Sequence, residues 1–122
     1  MIKDDNLILS IAGHDPTGGA GIQVDAQIAS YHGKHCLSIL TCETIQNLKS
    51  FVKIIPQEEK DIQKSFNNLF KNFSLKYFKI GLVPNVKIAH KLSNLIASNK
   101  PELVVIDPIL LSLIHISEPT RR

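Results

Sequence analysis

Short apolar runs alternate with stretches of helical periodicity, and that alternation restricts the fold more than any other feature of the chain. "NLILSIA" (Asn6 to Ala12), "HCLSILT" (His35 to Thr41), "SFVKIIP" (Ser50 to Pro56), "YFKIGLV" (Tyr77 to Val83) and "ELVVIDP" (Glu102 to Pro108) read as strands. Between them, Gly21 to His32 has Ile22, Ala26 and Ala29 at helical spacing. Gln57 to Phe73 carries Ile62, Phe66, Leu69, Phe70 and Phe73 on one stripe, with Glu58, Glu59 and Asp61 near the positive helix start. Asn85 to Ser98 sets Ile88, Ala89, Leu92, Leu95 and Ile96 on one side. The order βαββαβαβ predicts an α/β layered fold with a mostly parallel sheet, whose ligand sites lie at the carboxyl ends of strands. Three stretches fall at such ends: a glycine loop after the first strand, "TCETIQN" (Thr41 to Asn47) after the second, and Asp107 with Pro108 after the last. Their convergence on one crevice is the functional expectation. Leu103 to Ile106, four apolar residues in a row, suits a strand buried on both faces with neighbours on each side, and becomes an edge with an exposed apolar face if the sheet stops there.

A chain of 122 residues is long enough for one domain with a core of its own. Its 14 Lys and Arg against 11 Asp and Glu are spread without a run of like charge, which predicts neither a nucleic-acid nor a membrane partner. No stretch approaches the roughly 18 apolar residues of a membrane span, and the start of the chain has no long apolar region, so a cytoplasmic location is expected. Cys36 and Cys42 are six apart in one apolar stretch, the spacing of two small buried side chains on one face of a strand.

"SIAGHDPTGGAG" (Ser10 to Gly21) has Gly13 and Gly18 at P-loop spacing, but Gly19 and Ala20 stand where a P-loop has its Lys and Ser or Thr. Three readings stay open. A dinucleotide fingerprint would need a third glycine where Val24 stands, although Glu43 could pass for the ribose-binding acid. The glycines could serve only to turn the chain into the helix. The favoured reading has bare backbone approaching a flat or anionic ligand, with helix-start N–H groups available to it. His14 has no second ligand at metal spacing and reads as a solvent-facing loop residue.

"IAGHDPTGGAGIQVD" followed in order by "TCETIQN", "KIGL" and "VVIDPIL" resembles hydroxymethylpyrimidine and phosphomethylpyrimidine kinases of thiamine biosynthesis, in the ribokinase-like superfamily. The resemblance spans Leu7 to Leu110. It implies ATP-dependent phosphoryl transfer, with Mg2+, to 4-amino-5-hydroxymethyl-2-methylpyrimidine and then to its monophosphate. Carried over by position, it places Gly13, Asp25 and Gln46 around the pyrimidine, Thr44 and Leu82 on the pocket wall, and Asp107 on the phosphate and magnesium side. Thr44 and Leu82 depart from the aliphatic residue and the Met that relatives often have there. A pyridoxal kinase-like vitamin kinase is the second enzyme reading, and a non-catalytic fragment with weak pyrimidine binding is the third. Relatives run well beyond this point and form homo-oligomers; their anion hole, catalytic base and most of their ATP site lie in the part that follows. The resemblance therefore implies an N-terminal half of the kinase domain in residues 1–110, truncated after about half the fold, with no catalytic residue of its own and no activity as the isolated chain. Every basic residue before Arg121 is one of twelve lysines, and "SEPTRR" then closes the chain with both arginines. "LSLIHISEPTRR" resembles translated sequencing-adapter read-through, so residues 111–122 are expected to be a non-native tail.

Overall fold

The computed structural model describes residues 4–107. A single 3₁₀ turn (Asp4–Asn6) leads into β1 (Leu7–His14), followed by α1 (Gly21–Tyr31), β2 (His35–Gln46), β3 (Phe51–Pro56), α2 (Glu59–Phe70), β4 (Tyr77–Ile80), α3 (Val86–Asn99) and β5 (Leu103–Ile106). The strands form one sheet in the order β3-β2-β1-β4-β5. All neighbours are parallel except β2 and β3, so the expected α/β layering with a mostly parallel sheet is observed. The proposed tail, and Pro108 to Leu110 before it, lie outside the described residues.

Alternation along β1 sorts the two layers. Leu7, Leu9 and Ile11 are fully buried against the α2 and α3 side, where they meet Ile62 and Phe66 of α2 and Ile88, Leu92 and Leu95 of α3. Phe66, Phe70 and Phe78 stack and cross edge to face within this layer. Each such side chain contributes on the order of 1.5–3 kcal/mol by leaving water. α3 starts at Asn85, whose side chain accepts a hydrogen bond from the Ile88 N–H at 2.9 Å. α1 covers the other face over β1 and β2. Of its expected stripe, Ala29 is buried but Ala26 is exposed, and Ala89 of α3 is exposed as well. On α1 the inward position falls instead to Asp25, which has partners on the sheet.

One expectation is corrected. "TCETIQN" does not follow the second strand but forms its second half: β2 runs past Thr41 to Gln46 because Cys42 to Gln46 pair antiparallel with Phe51 to Pro56, forming a hairpin turned at Asn47. The Asn47 side chain accepts from the N–H groups of Lys49 and Ser50, an Asx-type turn. β5 is an edge strand of the described sheet, with Leu103, Val105 and Ile106 exposed, as expected where the sheet stops at that strand. Among the described residues no helix is long and apolar enough to cross a membrane.

The cysteines are both free, Cys42 buried and Cys36 half-buried. They do not share a face. Cys36 pairs with Ile8 and Cys42 with Gly13, five residues further along β1, because an irregularity in the pairing between Ala12 and Gly13 leaves Thr41 as an extra residue on β2. Burial is the main force pushing both thiols above their ordinary value near 9.0. A raised folded value means that the stabilisation is present in full below pH 9.0 and is lost as pH climbs through the folded values. The native chain should therefore react with a thiol reagent at pH 7 at least tenfold more slowly than the urea-unfolded chain, with Cys42 the slower of the two. Equal rates for native and unfolded protein would contradict this packing.

Candidate active site

The carboxyl ends of β1 and β2 and the residues just after β4 surround a small, open recess lined by Gly13, His14, Asp15, Ala20, Gly21, Thr44, Gln46 and Leu82. Four of the residues singled out from the sequence, Gly13, Thr44, Gln46 and Leu82, are thus brought together from three separate strand ends. Their placement follows from local hydrogen bonding. The extra residue Thr41 is fully buried and its hydroxyl donates to the Leu82 carbonyl at 2.7 Å, fixing the segment that carries Leu82. The Thr44 hydroxyl donates to the His14 carbonyl at 2.7 Å and accepts from Gln46 Nε2 at 2.8 Å. This chain ties the hairpin to the end of β1 and orients the Gln46 amide, leaving its Oε1 and a second N–H for other partners.

The glycine loop is organised by Asp15. Its Oδ1 accepts from the Thr17 N–H and hydroxyl at 2.8 and 2.7 Å, and its Oδ2 from the Gly19 N–H at 3.2 Å. The motif's "DPTG" is a turn signature from which this role could have been read. Gly21 has φ +77°, and a Cβ there would stand 2.4 Å from the Gly13 carbonyl oxygen. A Cβ on Gly13 would meet Cys42 Sγ at 2.8 Å. At these two positions the bare backbone is required by chain packing on chain.

Asp25 and Asp107 do not line the recess. Ser10, fully buried on β1, donates to Asp25 Oδ2 at 2.7 Å, and Lys79 of β4 reaches Asp25 Oδ1 at 3.0 Å and Asp107 Oδ2 at 3.7 Å. The cluster is largely buried: side-chain exposure is 15% for Asp25, 23% for Lys79 and 28% for Asp107. Ser10, Lys79 and Val105 are direct neighbours across three strands, which brings the ammonium under α1. The pairing explains how a carboxylate can face the sheet. His14 departs from the solvent-facing loop reading: it closes β1, lines the recess, and its Nδ1 lies 2.9 Å from Glu43 Oε1. Among the described residues no group of three or more His, Cys, Asp or Glu could hold a metal ion.

A mostly parallel sheet layered between helices, together with its likeness to solved kinase structures, places the fold in the ribokinase-like class. The family model described as phosphomethylpyrimidine kinase matches residues 15–114, and the chain belongs to that family. A hydroxymethylpyrimidine/phosphomethylpyrimidine kinase of Aquifex aeolicus is 29% identical over 106 residues, covering 87% of this chain and 42% of its own length. The crystal structure of a phosphomethylpyrimidine kinase from Clostridium difficile superposes with a TM-score of 0.80 at 32% identity, covering 84% of this chain and 45% of that one. An ADP complex of Bacillus subtilis pyridoxal kinase superposes with a TM-score of 0.77 at 25% identity, covering 84% and 39%. The chain spans less than half the length of each of these proteins.

Proposed function

We propose that the recess is the pyrimidine site of a kinase that transfers a phosphoryl group from ATP to 4-amino-5-hydroxymethyl-2-methylpyrimidine, and then to the phosphate of the monophosphate. The observation that carries this reading is the Gln46 amide held by Thr44 at the recess wall. A 4-aminopyrimidine edge offers an N–H donor beside a ring-nitrogen acceptor. Gln46 Oε1 accepts from the amino group, and the second N–H of Nε2 donates to the ring nitrogen. Leu82, Ala20 and the glycine backbone supply a flat apolar wall for the ring. Asp25 is assigned a supporting role through α1 rather than a contact with the ring.

Phosphoryl transfer depends on positioning and on stabilising charge at the moving group, with the nucleotide's magnesium bridging its phosphates. The residues described here contribute binding and orientation of the acceptor. Asp107 is the carboxylate we assign to the nucleotide side, but one carboxylate beside a lysine does not make a magnesium site, which needs several oxygen donors. A cytoplasmic enzyme assembled from identical copies belongs to the same proposal.

A pyridoxal kinase-like activity is the second reading, favoured by the likeness to the Bacillus subtilis structure. Pyridoxal lacks the amino edge that Gln46 matches. Calorimetric titration of the 122-residue chain should show binding of hydroxymethylpyrimidine at least tenfold tighter than pyridoxal, and Gln46→Ala should remove that preference. Tighter binding of pyridoxal would move the assignment to the second reading.

A further inference from the structure

The recess has few polar atoms left for a ligand once its internal hydrogen bonds are counted. Both Asp15 oxygens are engaged by Thr17 and Gly19, and the Thr44 hydroxyl both donates to His14 and accepts from Gln46. Among the lining side chains, Gln46 Oε1, the second N–H of Gln46 and the outer nitrogen of His14 are the polar groups that make no hydrogen bond within the described residues. The imidazole is held in place: His14 and Glu43 are direct neighbours in the last rung of β1 and β2, and Glu43 Oε1 lies 2.9 Å from Nδ1. A carboxylate accepts only, so Nδ1 carries the proton and Nε2 of the neutral ring is an acceptor. The two side chains are 43% and 53% exposed, and a hydrogen bond so open to water adds little to stability. Its effect is to orient the ring.

We propose that His14 is a specificity-determining residue whose Nε2 accepts the hydrogen bond of the substrate's hydroxymethyl O–H. This rests on the pyrimidine reading of the recess. With the amino edge on Gln46, the adjacent ring substituent is the hydroxymethyl group, and His14 Nε2 is an acceptor on the same recess wall that no other group among the described residues engages. Glu43 acts through His14 as a positioning residue.

The test compares hydroxymethylpyrimidine with its deoxy analogue, 4-amino-2,5-dimethylpyrimidine, by calorimetry on the 122-residue chain. The wild type should prefer the hydroxyl compound by about tenfold, the scale of one buried hydrogen bond. His14→Ala should bring the ratio of affinities to about one. His14→Asn, which retains a donor toward Glu43 but has no group at the Nε2 position, should do the same, whereas His14→Gln should retain part of the preference. Because the readout is a ratio within each variant, a general loss of stability does not imitate it. A preference that persists in His14→Ala, or a wild type that binds both compounds equally, would overturn the inference and leave the pyrimidine reading standing. A wild type that binds neither would overturn both.

Discussion

Gly21→Ala should lower the stability of the chain by about 3 kcal/mol or more, read as a fall in the urea midpoint at unchanged slope. Two terms add. An L-residue at φ +77° costs roughly 1–2 kcal/mol. The new Cβ also stands 2.4 Å from the Gly13 carbonyl oxygen, a backbone atom that cannot swing away as a side chain could. Gly33 separates the two terms, since it has φ +74° but nothing within 4 Å of its Cβ position. Gly33→Ala should therefore cost only about 1–2 kcal/mol. Equal losses at the two glycines would contradict the close packing of the helix start on the end of β1.

Asp25→Ala should cost about 3 kcal/mol, near the range for removing one partner of a buried ion pair. It leaves the Ser10 hydroxyl without its acceptor and Lys79 with Asp107 at 3.7 Å as its remaining carboxylate. The cost is one of unpairing, so Lys79→Met in the same chain should recover part of it, giving a coupling of about 1 kcal/mol or more in a double-mutant cycle. Additive losses would mean that the ion pair does not hold α1 to the sheet. Since Asp25 does not line the recess, Asp25→Ala should weaken pyrimidine binding only as far as it loosens the glycine loop, and less than Gln46→Ala does.

The layering was legible in the sequence because it depends on periodicity alone. The stripe from Ile62 to Phe70 on α2 and the alternation of Leu7, Leu9 and Ile11 on β1 each dictate a buried face. Less legible was whatever depends on partners distant in the chain. The extension of β2 through Gln46 is decided by pairing with β3, which a propensity reading of "TCETIQN" does not contain. The resemblance places Asp25 at the pyrimidine, because nothing local in the sequence shows its partners, Ser10 15 positions away and Lys79 54 positions away. Within the candidate site, Gly13, Thr44, Gln46 and Leu82 came from motif position, and the fold brings them into one recess. The sequence around His14 does not show its role, because its partner, Glu43, is a cross-strand neighbour 29 residues on. The cysteines' spacing of six implied one face, and the extra residue at Thr41 removed that parity.

Amide chemical-shift mapping of the 15N-labelled chain during titration with hydroxymethylpyrimidine tests the central claim most directly. The account predicts saturable shifts concentrated at Gly13, His14, Thr44, Gln46 and Leu82, with the amides of Asp25 and Lys79 moving far less. Saturable shifts centred elsewhere, on Asp107 or on the starts of α2 and α3 with the Gln46 side-chain amide unmoved, would contradict it.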